Sequence, residues 1–148
     1  AVLSVKWWAE SKVERGVLRA ADLLLRIIDE ELAREQSVPI LSCNTVNNTL
    51  KAGRLIRSPG FVSKAEMILT RLENIKKNRV SVLGPNQTTY NLVIHMLCDT
   101  CTAGNALKAE KIIEQMQMSH ELGAMDLRPN TIHFNSLMNA LVKSRSKN

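Results

Sequence analysis

Residues 85–91 read Pro85-Asn86-Gln87-Thr88-Thr89-Tyr90-Asn91, and residues 129–135 read Pro129-Asn130-Thr131-Ile132-His133-Phe134-Asn135. Pro85 to Pro129, Asn86 to Asn130, Tyr90 to Phe134 and Asn91 to Asn135 are all separated by 44 residues. Between the two copies, Ala109, Ile112, Ile113 and Met116 stand at i, i+3, i+4 and i+7, the spacing of one buried helix face. The same offset taken backwards gives Ala65, Ile68, Leu69 and Leu72, and once more Ala21, Leu24, Leu25 and Ile28. Three copies of a four-point apolar stripe at one offset define a repeat, and a period of this length implies a stacked array of small units.

Outward from that stretch, the chain divides into helices, turns and connectors. Leu3, Val5, Trp7 and Trp8 suggest a first helix over 2–12, Gly16 a break, and the Ala21 stripe a helix over 18–34. After Pro39, a helix is expected from Thr45 through Asn47, Leu50 and Leu55, with Gly53 inside it weakening it by about 1 kcal/mol relative to alanine. Ser58-Pro59-Gly60 reads as a turn and Ser63 as the N-cap of a helix over 64–77. Further helices are expected over 87–98, 106–119 and 131–143, with a turn at Asp99–Gly104 and a connector at Glu121–Asn130. Tyr90, Val93, Ile94 and Leu97 form the buried stripe of the first of these; Phe134, Leu137, Met138 and Leu141 repeat it 44 residues on. Each unit is helix, turn, helix, connector, with no strand signal. The fold class is therefore all-α: an α-solenoid of helix-turn-helix repeats in a right-handed superhelical array. Its units span about 1–42, 43–86 and 87–130, with a partial unit at 131–148, and the N-terminal residues read as part of a longer array.

The aromatic share of 3% within an apolar share of 45% implies an aliphatic and methionine core. Twenty Lys and Arg against fourteen Asp and Glu give a net charge of +6. That balance favours an anionic partner, nucleic acid before a membrane surface, although a solvated basic surface gives the same count. Three cysteines, Cys43, Cys98 and Cys101, suit a reduced compartment better than a disulfide framework. No apolar run approaches the ~18 residues of a membrane span, so no membrane insertion is expected. Cys98-Asp99-Thr100-Cys101 is a C-x-x-C with His95 three residues before it, but a zinc site needs four ligands, and no second pair follows. No metal and no cofactor is expected. His120 and His133 lack partners at catalytic spacing, and neither a phosphate loop nor a nucleophile or deaminase motif is present, so the chain does not read as an enzyme. Lys51, Arg54 and Arg57 on one candidate helix could meet phosphates, and Trp7 and Trp8 could stack on bases or pack.

The phrasing of the unit resembles the pentatricopeptide repeat family. Pro85-Asn86, Thr89-Tyr90-Asn91, Leu97-Cys98, Ala109, Met116, Pro129-Asn130, Phe134-Asn135 and Leu137-Met138 carry the resemblance. It is good over 85–143, fair over 61–84 and weak over 1–60. The 44-residue unit exceeds the ~35 residues usual in that family, close to the related tetratricopeptide length; the added length falls at the turn within the pair and at the connector. The resemblance implies sequence-selective binding of single-stranded RNA, one base per unit, in organelle RNA processing, stability or translation in a mitochondrion or plastid (chloroplast). It pairs Asn91 with Asn130 and Asn47 with Asn86 as base readers, begins a third pair at Asn135, and sets Thr88 and Ile132 against the bases. Val46 stands where that pattern has an aromatic, which weakens the Asn47 assignment. An asparagine at a helix start is equally the residue of a cap. The rival expectation is a helical-repeat scaffold that binds a protein partner, or a structural subunit of a ribonucleoprotein or other large complex such as a ribosome.

Overall fold

The computed structural model describes residues 14–34, 41–78 and 83–146. The described residues are helical and contain no strand. In chain order the helices are α1 (Glu14–Ala33), α2 (Cys43–Ile56), α3 (Pro59–Asn78), α4 (Gln87–Asp99), α5 (Ala103–Glu121) and α6 (Thr131–Arg145), with a 3-10 turn at Met125–Leu127 before the last. The expected helix at 2–12, with Trp7 and Trp8, lies outside the described residues. The chain forms two compact units, Ala1–Pro85 and Asn86–Asn148.

In the first unit α1 packs on α2 and α3, and α2 meets α3. Ala21, Leu24, Leu25 and Ile28 of α1 and Ala65, Ile68, Leu69 and Leu72 of α3 are all buried, as their spacing requires. On the rim, Lys64 pairs with Asp22, and Arg71 Nε lies 2.9 Å from Asp29 Oδ1. Such exposed pairs add at most about 1 kcal/mol each. Gly16 does not break the helix: it is buried within α1, where helix packing outweighs a propensity penalty of about 1 kcal/mol. Ser58-Pro59-Gly60 is not a free turn, and Ser63 is not a cap. Pro59 is the first residue of α3, a position where the missing N–H would lack a helical partner anyway. Ser58 Oγ instead donates to Glu14 Oε1 at 2.7 Å.

Gly53 has a tertiary reason that helix propensity does not show. A Cβ built there would stand 1.9 Å from the Phe61 ring, and Phe61 is among the largest fully buried side chains. The glycine makes room for the ring of α3 against α2.

In the second unit α4, α5 and α6 each touch the other two, and the 3-10 turn rests on α5. Tyr90, Val93, Ile94 and Leu97 are buried, as are Ala109, Ile113 and Met116, with Ile112 half-buried. On α6 only part of the expected stripe is covered. Leu137 is buried and Leu141 half-buried, whereas Phe134 and Met138 are exposed. Helix α5 begins at Ala103, ahead of the expected 106, because the Thr102 side chain accepts from Asn105 N and so caps the helix earlier. Among the described residues no helix is long and apolar enough to cross a membrane.

The 44-residue register recurs in the caps. Ser42 Oγ accepts from Thr45 N at 3.3 Å, Asn86 Oδ1 from Thr89 N at 3.0 Å, and Asn130 Oδ1 from Ile132 N and His133 N at 3.0 and 3.3 Å. In the last two the third helical residue returns the bond. Asn86 N donates to Thr89 Oγ1 at 3.2 Å, and Asn130 N donates to His133 Nδ1 at 3.0 Å. Both are reciprocal capping boxes, built here with threonine and histidine in place of the usual glutamate.

Candidate nucleic-acid interface

The cap of α6 forms one wall of an open cleft of about 620 Å³ lined by Gln87, Arg128, Pro129, Asn130, Thr131 and Phe134. Two local features set its shape. Pro129 and the Asn130 capping box fix the turn into α6, and Gln87 Nε2 at the start of α4 donates to Arg128 O at 3.0 Å. The carbonyl of Arg128 is thereby tied to α4, while the residue itself is exposed. Ile132, two residues past the cap, is also exposed.

The seven expected base-reading residues fall into two groups. Asn86, Thr88, Asn130, Ile132 and Asn135 are exposed; Asn91 is half-buried and Asn47 is buried. Both asparagines at the unit ends are N-caps, so Oδ1 of Asn86 and of Asn130 already accepts backbone N–H groups. Only Asn130 lines the cleft. Asn47 belongs to the first unit and Asn86 to the second.

Asn91 and Asn130 are joined through a third residue. The His133 ring accepts from Asn130 N at Nδ1, and its Nε2 meets Asn91 Oδ1. An N–H donor at Nδ1 leaves Nε2 as the protonated nitrogen, so His133 is held as one neutral tautomer that donates to Asn91. Burial lowers its pKa from 6.5, and His95 lowers it further. His95 itself meets Ser136 Oγ through Nδ1 at 3.2 Å. His133 therefore does have a partner, 42 residues earlier in the chain, and the pairing seats α6 on α4.

The sequence reading missed Arg128 and Gln87. A lone cation before Pro129-Asn130 was the available signal, and position 84, one period earlier, holds glycine. Cys98 is buried and its thiol is pushed up to about 11, chiefly by desolvation, then by Asp99 and Cys101. None of Cys43, Cys98 and Cys101 is in a disulfide, and no cluster of metal-ligating side chains occurs among the described residues. Lys51, Arg54 and Arg57 are exposed on and just after α2.

No protein-family model, curated protein or solved structure matches the chain.

Proposed function

We propose that this chain is a helical-repeat module of the pentatricopeptide kind, an α-solenoid that binds single-stranded RNA. The observation that carries the reading is the cleft at the α6 cap, where the Asn130 amide, the cation Arg128 and the neighbouring apolar Ile132 are all exposed. A base needs those three kinds of group: an amide for its edge, an apolar side chain against its face, and a charge for the adjoining phosphate. The recurrence of Asn86 and Thr88 in the same positions, also exposed, supports one such place per 44 residues. The net charge of +6 favours the same partner. By resemblance to the family, the RNA would be an organellar transcript to be processed, protected or translated. The residues contribute binding and no catalytic step.

The test is fluorescence anisotropy with short C-rich, U-rich and A-rich single-stranded RNAs at low salt. Arg128→Ala should weaken all three by a similar factor and reduce the salt slope by about one. Asn130→Asp is the informative substitution at the base edge, because aspartate caps a helix as well as asparagine does. It should change the order of preference among the oligomers, with a shift of about 1 kcal/mol or more. Equal binding of all three RNAs by both variants and the parent would refute base reading at this cleft.

A further inference from the structure

Helix α6 is seated on α4 through two side-chain pairs, His133 to Asn91 and Ser136 to His95. Around those two positions on α4, the outward stripe of Tyr90, Ile94 and Cys98 is 4%, 0% and 6% exposed. One period later, α6 carries the equivalent edge: Phe134, Met138 and Val142 for the stripe, and Asn135 and Asn139 for the hydrogen-bonding positions. There the stripe is 46%, 62% and 63% exposed. Three apolar side chains at i, i+4 and i+8 make a continuous ridge, flanked by two amides and interrupted by no charge.

We infer that this outer edge of α6 is a docking edge for one further helix of the same 44-residue kind, held as α4 holds α6. The occupant's chemistry follows from the joint already present. The face of α6 that turns to α4 includes His133 and Ser136, with Leu137 and Ala140 buried beside them. The occupant repeats that face: a hydrogen-bonding side chain at its third residue to meet Asn135, a hydroxyl three further on to meet Asn139, then leucine and alanine over the ridge. An amide at 135 or 139 offers both donor and acceptor, so it accommodates either polarity of partner. This edge is separate from the cleft at the α6 cap, save that Phe134 adjoins both; Asn135, a base reader by the family resemblance, belongs here to the docking edge, as Asn91 belongs to the joint with α6. On α4, which already carries its helix, Asn86 and Thr88 stay exposed, and so Asn130 and Ile132 remain open when the edge of α6 is filled.

A peptide of residues 129–146, made helical by a hydrocarbon cross-link replacing the side chains of Asn135 and Asn139 on its outer side, presents that face. It is titrated into the isotope-labelled 148-residue chain and followed by amide NMR. The expected result is a set of shifts confined to residues 134–142 of α6, with Met138→Glu in the protein weakening the peptide by about tenfold or more. Met138 is exposed, so that substitution leaves the fold intact. Shifts absent at millimolar peptide, centred on α4 or on Met118 and Leu122 of α5, or unaffected by Met138→Glu would overturn the assignment. So would concentration-dependent association of the protein alone through the same residues, since a second copy would then be the occupant. Retention of RNA binding by Met138→Glu, and of peptide binding by Arg128→Ala, separates this inference from the RNA reading.

Discussion

Lowering the pH should act on the second unit through His133, and the direction follows from its two bonds. Nδ1 accepts a backbone N–H from Asn130 at 3.0 Å, so a proton placed there breaks the return half of the capping box. The ring is buried and its pKa is lowered from 6.5, first by desolvation and then by His95. The unfolded chain therefore binds a proton at this residue more readily than the folded chain does, and stability falls as the pH drops through 6.5. Above pH 6.5 the contribution is flat. The loss grows as the pH falls further below 6.5, because the fold disfavours the charged ring. His133→Ala removes both bonds and the ring, a loss of about 3 kcal/mol from two hydrogen bonds near 1 kcal/mol each plus the space left. His133→Thr puts the hydroxyl of Thr89 into the equivalent box, where Thr89 Oγ1 accepts from Asn86 N at 3.2 Å, and should lose only about 1–2 kcal/mol. Urea denaturation at pH 7.5 and 5.5, followed through the ring resonances of the single tyrosine, Tyr90, reads the second unit specifically. Long-range proton–nitrogen NMR of the imidazole gives the tautomer directly. Equal pH dependence in the parent and in His133→Thr, or a proton on Nδ1 at pH 7, would refute the reasoning.

Gly53→Ala should destabilise the first unit by about 1–3 kcal/mol despite alanine's better helix propensity, because the new methyl meets the Phe61 ring; recovery of part of that loss in Gly53→Ala with Phe61→Leu, by urea titration, checks the cause. Asn130→Ala should lower stability by about 1 kcal/mol through loss of the α6 cap, while Asn130→Asp stays within a few tenths; thermal denaturation of the two variants separates capping from any loss of RNA binding. Iodoacetamide at pH 8 should modify Cys101 before Cys98, whose buried thiol stays protonated with a pKa of about 11; peptide mapping at timed points reads the order, and prior labelling of Cys98 would contradict it.

Much of the architecture was legible because one residue pattern had been written several times. Apolar residues at i, i+3, i+4 and i+7 bury a helix face wherever a partner helix exists, and the stripes of α1, α3, α4 and, apart from half-buried Ile112, α5 are buried accordingly. The Pro-Asn before Tyr90 and before Phe134 marked the starts of α4 and α6 to the residue, since an asparagine cap uses only local atoms. Local signals misled where packing outweighed them. Ser58-Pro59-Gly60 carries every mark of a turn, yet proline suits the first position of a helix, and Ser58 is engaged by Glu14, 44 residues away.

The candidate site shows the same division. The sequence placed asparagines at 86, 91, 130 and 135 from the period alone, and it also allowed that an asparagine at a helix start is a cap. The sequence could not say which side-chain atoms are already engaged, because hydrogen-bond partners 42 residues apart are set by how α6 lies on α4. Tertiary structure assigned Asn91 to that joint, gave His133 its single tautomer, and brought Arg128 and Gln87 to the cleft. It also distinguished Tyr90 from Phe134, two aromatic residues at the same place in the repeat. The period fixes a residue's position on its helix, but burial depends on whether another helix lies over it, and only the folded chain decides that.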